Sequence, residues 1–125
     1  MGSKQRKQPE STSLAVVSAN EVHLIGRLSG PAEERRLPSE AVMCTFTVIV
    51  DRLDSDLRSR QRVDVINCVA WTPRVRRQAL SWAEGDVVEV HGAVRKRFFR
   101  TAGGATGSRV EVEVGSARRV RRMAA

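Results

Sequence analysis

Residues 62–85 read RVDVINCVAWTPRVRRQALSWAEG, and the change of period inside them decides the fold class. Arg62–Trp71 is apolar on both parities, the pattern of a strand covered on both sides within a sheet. Thr72 then supplies the hydroxyl an N-cap needs, and Pro73 stands at the first helical position, where its missing N–H costs nothing. Val75, Ala79 and Trp82 or Ala83 recur at helical spacing, and Gly85 suits a left-handed stop. Arg74, Arg76 and Arg77 fall mostly off that stripe. The period of two returns at once in Asp86–Arg100, DVVEVHGAVRKRFFR, which reads as a long strand with a bulge at Gly92.

Upstream and downstream of this unit the period of two also dominates. Asn20–Leu28, NEVHLIGRL, sets Val22, Leu24 and Leu28 against Glu21, His23 and Arg27, with Gly26 as a bulge or sharp bend. Residues 30–40, GPAEERRLPSE, read as a connection because of Gly30, Pro31 and Pro38. Met43–Val50 alternates Cys44, Phe46, Val48 and Val50 against Thr45 and Thr47. The charged stretch 51–62, DRLDSDLRSRQR, reads as an exposed hairpin loop. Beyond the long strand, TAGGATGS is a glycine-rich loop, and Arg109–Val114, RVEVEV, is the last strand. The order β-β-β-α-β-β predicts an all-β chain: a five-stranded Greek-key OB-fold barrel with one short helix between strands three and four.

A chain of 125 residues accommodates one such domain and buries a core without staples. The expected organisation is a basic disordered arm over 1–18, the barrel over 19–117 and a basic tail over 118–125, where SARRVRRMAA carries four arginines. Lys and Arg number 22 against 14 acidic residues, for a net charge of +8, which favours an anionic partner, nucleic acid ahead of a membrane surface. No apolar run reaches the ~18 residues of a membrane span, and no secretory signal core is present. Cys44 and Cys68 make no disulfide framework and no metal spacing, so a reduced, cytoplasmic setting with buried thiols is expected.

The strands themselves are familiar. NEVHLIGRL resembles the opening segment of the bacterial single-stranded-DNA-binding protein family. Residues 41–50 fit that family's second strand, VINCVAW at 65–71 its third, and GDVVEVHGAVRKRFF at 85–99 its fourth. Together these pieces run in family order from about Asn20 to Val114. The resemblance implies an OB-fold binder of single-stranded DNA, associated with the nucleoid, that acts in replication, repair or recombination. It also implies a homo-oligomer, a tetramer with a dimer as fallback. Val65 and Leu53 or Asp54 stand where the family commonly has aromatics, leaving Trp71 and Phe99 at aligned stacking positions. On this resemblance the chain is expected to be a short member without the acidic C-terminal tip that recruits partner enzymes.

Gripping single strands without reading sequence needs a cationic groove and flat rings, because every base offers a π-face. On the 86–100 strand Val88, Val90 and Val94 share one parity, while Arg95, Arg97 and Phe99 share the other. Phe98 points with the valines and serves equally as a packing ring. Trp71, on the parity of Val65, Asn67 and Val69, reads on composition as a cap on the core and on alignment as a stacking ring. Trp82 reads as packing. The candidate nucleic-acid-binding residues are Trp71, Phe99, Phe98, Arg95, Arg97, Arg100, Asn67, Arg74, Arg27 and Arg52.

Other chemistry is not expected. His23 and His91 lack a second ligand at useful spacing, so neither metal binding nor acid–base work is assigned to them. TAGGATG lacks the ending of a phosphate-binding loop. Glu111 and Glu113 alternate outward and suit solvent. No nucleophile, base and oxyanion site assembles, so neither catalysis nor a cofactor nor a small-molecule substrate is expected. Two other readings share the fold: an OB module for RNA, and an adaptor of the primosome type that mainly bridges proteins.

Overall fold

The structure is a computed structural model and describes residues 17–53 and 59–123; the arm expected over 1–18 lies almost wholly outside the described residues. The elements are β1 (Val22–Leu28), β2 (Glu33–Arg36), β3 (Val42–Asp51), β4 (Val63–Ala70), α1 (Pro73–Leu80), β5 (Val87–Arg100) and β6 (Thr106–Arg121). A single sheet runs β1-β5-β6-β4-β3-β2, and β1 pairs again with β3, which closes five strands into a ring. All pairings are antiparallel except β4 with β6. This is the expected barrel, with α1 between the third and fourth strands of the ring.

β2 is the exception. The segment expected to be a plain connection pairs Glu33–Arg36 with Val42–Thr45 of β3. Its four side chains are all exposed, so no alternation marks it, and only backbone hydrogen bonds make it a strand. Four charged residues on a short edge also discourage a further strand from adding there.

The last strand is longer than its pattern. It does not stop at Val114, and Arg118–Arg121 are not a tail: Arg118, Arg119 and Arg121 pair with Glu89, Val88 and Val87. Two register shifts against β5 leave Gly115 and Val120 without cross-strand partners on the β6 side. Each extra residue resets the parity, so the alternation fades while the ladder continues. The irregularity expected at Gly92 is thus present, but β6 carries the added residue. β5 therefore keeps its alternation from Val88 to Phe99.

Gly26 and Gly92 mark close approaches rather than bends. A Cβ at Gly26 would lie 2.3 Å from the carbonyl oxygen of Ile49, where β1 passes from β5 to β3. One at Gly92 would lie 2.0 Å from the carbonyl oxygen of Glu113.

α1 begins as expected, with the Thr72 hydroxyl accepting from the Val75 N–H at 3.4 Å. It ends at Ser81 rather than at Gly85. Gly85 takes its positive φ of 91° in the following loop, where its N–H donates to the carbonyl of Leu28 at 2.9 Å. Val75, Ala79 and Trp82 enter the core, and the Trp82 and Phe46 rings meet edge to face at 5.4 Å between centroids. Cys44 and Cys68 are buried, reduced fillers on β3 and β4. Burial pushes the Cys68 thiol up to about 12, which keeps it protonated and inert.

Asp86 ties the loop after α1 to the end of β6. It is 3% exposed, and its carboxylate accepts from the Ala83 and Met123 N–H groups, both at 2.9 Å. Those two bonds, with Arg119 and Arg122 nearby, hold its carboxyl below the ordinary aspartate range. A depressed carboxyl stabilises the fold above its unfolded value, about pH 4, and that contribution disappears as pH falls through the native value. Melting temperatures measured from pH 6 down to pH 2.5 should therefore fall more steeply for the native chain than for Asp86→Asn. Parallel curves would remove Asp86 from the acid response.

Candidate nucleic-acid interface

The interface is built on the odd face of β5 and its register with β6. Arg95 stands opposite Glu111, Arg97 opposite Arg109, and Phe99 opposite Gly107. Residues opposite one another share a face. The bonds nonetheless run diagonally. Arg95 Nε donates to Glu113 Oε1 at 2.8 Å, and Arg97 Nε donates to Glu111, with its Nη2 3.7 Å from Glu113. Glu111 and Glu113, expected to face plain solvent, are the counter-ions of this arginine row, and the Glu111 side chain is only 11% exposed.

Each ring of the row carries a guanidinium group over its face. Arg97 lies over the Trp71 indole, 5.2 Å from its centroid, and Arg109 lies over the Phe99 ring at 5.4 Å. Both separations are those of a cation–π contact. Phe99 is 41% exposed and seated on Gly107, where a Cβ would come within 2.6 Å of the ring. Trp71 is half-buried at the end of β4, outside the core cluster. Its Nε1 is buried without a hydrogen-bond partner, and its carbonyl accepts from Arg76 at 2.8 Å. Beside the row, Asn67 accepts from the Thr47 hydroxyl at 3.3 Å. Both line a groove of about 350 Å³ with Arg109, Glu111, Arg35 and Glu33.

Of the ten residues singled out from the sequence, Trp71, Arg95, Arg97, Phe99 and Asn67 come together here. The other five do not join them. Phe98, 69% exposed, lies on the opposite face of β5 with Lys96 5.5 Å from its ring, and the alternation places Arg100 on that side too. Arg74 is exposed on α1. Arg27 pairs with Asp51 at 3.1 Å, and Arg52 binds Asp64 through two bonds, at 2.8 and 3.1 Å. That grip holds the Asp64 carboxyl below its usual range. Arg109 was not among the ten. The loop between β5 and β6 sets the register that places it opposite Arg97, so loop length was the signal available.

The histidines also differ from expectation. His23 and His91, 68 positions apart, are direct partners in the β1–β5 ladder, and their rings stack 4.3 Å apart with Glu89 against both.

Comparison with known proteins places this architecture. The family model of the Single-strand binding protein family matches residues 19–120. The Single-stranded DNA-binding protein of Streptococcus pyogenes serotype M3 is 34% identical over 86 residues, 68% of this chain and 52% of that protein. Single-stranded DNA-binding protein A of Bacillus subtilis strain 168 is 32% identical over 85 residues, 68% of this chain and 49% of that protein. The chain thus spans about half the length of the curated relatives it matches. Among solved structures, the Plasmodium falciparum SSB complex with ssDNA shares the fold. Its TM-score is 0.70 at 16% identity, over 86% of this chain and 99% of that one. With the family's four segments in order and its barrel closed in the expected way, the chain belongs to the single-strand binding protein family.

Proposed function

We propose that this chain binds single-stranded DNA without reading its sequence and without catalysis, in replication, repair or recombination. The observation that carries the reading is the row Trp71–Arg97–Arg109–Phe99, two rings flanking two guanidinium groups, along one outward face of a family barrel. Rings supply stacking for any base, and guanidinium groups supply phosphate contacts. Arg97 covers the indole in the unbound chain. A base arriving on Trp71 takes that place and turns the guanidinium toward the backbone. Glu111 and Glu113 hold the arginines in place beforehand, at the cost of part of the row's positive charge. Asn67 and Thr47 offer polar contacts beside the row. Arg74, Arg100, Arg27 and Arg52 would touch only a strand that wraps beyond the row.

The same proposal includes a homo-oligomer. From Val22 to Gly26, β1 pairs on one edge only among the described residues, and Ile25 on it is exposed. An unpaired strand edge is a template for a second copy. The expected assembly is a tetramer, or a dimer if a second interface does not form.

Sedimentation with labelled poly-dT and a duplex of equal length, at low and physiological salt, tests both parts. Binding to poly-dT should weaken with salt by a log–log slope of about −0.7 per phosphate contacted. Duplex should bind more weakly, because pairing hides the base faces, and the unbound chain should run heavier than 13.8 kDa at micromolar concentration. Salt-independent binding, or equal affinity for duplex, would sink the groove; a monomer that still binds would sink the assembly. An RNA oligonucleotide that outcompetes poly-dT would favour the RNA reading.

A further inference from the structure

A separate cluster sits across the β1–β5 seam. His23 and His91 face each other in the ladder, and Glu89 lies two residues before His91 on the same strand face. Cross-strand partners bring their Cβ atoms to about 5 Å, and the imidazoles accordingly stack, 7° from parallel. Both present Nε2 to one carboxylate oxygen: Glu89 Oε2 is 2.6 Å from His23 and 3.5 Å from His91. The three ligand atoms lie within 4.8 Å of one another. The other oxygen, Oε1, accepts from Arg118 Nε at 2.8 Å. Arg118 therefore fixes the carboxylate and leaves Oε2 toward the imidazoles.

We propose that His23, Glu89 and His91 form a binding site for a divalent transition metal ion, with zinc as its chemical match. Two imidazole nitrogens and one carboxylate oxygen are a donor set that zinc takes, with ligand bonds of about 2.0–2.2 Å. Tetrahedral bonds of that length separate neighbouring donors by about 3.3 Å. The His91–Glu89 separation already meets this; His23 has to draw back from Glu89, and the two stacked rings have to turn out of parallel so that their Nε2 lone pairs converge on the ion. Calcium and magnesium ask for more oxygen ligands than the site offers. Both histidine side chains are about half exposed, so the fourth position opens to water. A partner group that orients a ligating carboxylate is the usual outer arrangement of such sites, and Arg118 fills that role. Bound metal would join β1 to β5 by side chains as well as by the ladder, near the edge of β1 left unpaired between Val22 and Gly26. Two histidines in the whole chain, both here, make the assignment simple to test.

The test is calorimetric titration of the intact chain with zinc chloride in a non-chelating buffer, repeated on His23→Gln, His91→Gln and Glu89→Gln. One ion per chain is expected, with a rise in melting temperature on the order of 5–10 °C at saturation. Each variant should lose at least about tenfold in affinity. Titration with cobalt(II) checks the ligands on the unsubstituted chain. Visible d–d bands of a four-coordinate ion should appear without the near-ultraviolet band of a thiolate. A thiolate band would place the metal on the cysteines, and uptake unchanged in the histidine variants would place it elsewhere. No uptake would leave the cluster a hydrogen-bonded group only. Each of these three results overturns the proposal, and none depends on whether the chain binds DNA.

Discussion

Trp82→Ala is expected to destabilise the protein by about 3–5 kcal/mol, the cost of emptying the space of a large buried ring. Trp82 follows α1 and is 6% exposed, with its indole edge-on to Phe46 of β3. The ring joins helix to barrel, so its removal opens a cavity where two elements meet. Neither Val75 nor Ala79 has the volume to refill that cavity. Urea unfolding followed by circular dichroism measures the effect through the transition midpoint, with the slope unchanged. Folded Trp82→Ala protein should still bind single strands with native affinity, because the indole does not reach the Trp71–Phe99 row. A loss below about 1 kcal/mol would show that helix and barrel do not depend on this ring.

Trp71→Ala should act the other way round. Binding to poly-dT is expected to weaken by roughly 1–3 kcal/mol, the contribution of one stacked base, with Phe99→Ala of similar size. Thermal stability should change less than for Trp82→Ala, since Trp71 is half-buried and lies outside the core cluster. Fluorescence divides the two indoles directly. Saturating poly-dT should quench part of the emission, and Trp71→Phe should abolish most of the quenchable part while keeping measurable affinity. Arg97→Ala uncovers the indole but removes a cation, so it should lower the salt slope along with the affinity. If Trp71→Ala unfolds while binding per folded molecule is unchanged, the indole is core. Stacking would then rest on Phe99, and an adaptor role would become the stronger reading.

Local patterns carried most of the fold. The switch from period two to helical spacing after Trp71, with Thr72 and Pro73 at the turn, located α1 to within a residue at its start. Alternation in β1, β3 and β5 places Leu28, Val48, Val88 and Val90 on faces that are buried in the core. The same alternation put Arg95, Arg97 and Phe99 on one face, because parity along an unbroken strand is a local property. β2 left no such trace: EERR is exposed on both sides, and a strand held only by its backbone has no side-chain signature. The second half of β6 was hidden for a related reason, since Gly115 and Val120 reset its parity.

What the chain by itself determined is therefore the five strands of the ring and α1, their order and the facing of β1, β3 and β5, all written at spacings of two or of three to four residues. Tertiary structure alone decided which faces meet. Register brought Glu111 and Glu113 to the arginines, set Arg109 over Phe99, and carried Arg97 onto the indole of a different strand. The His23–Glu89–His91 cluster is the clearest case, for its ligands are neighbours only because β1 lies antiparallel on β5. Pairing depends on backbone hydrogen bonds between distant segments, and those bonds are indifferent to the side chains they bring together.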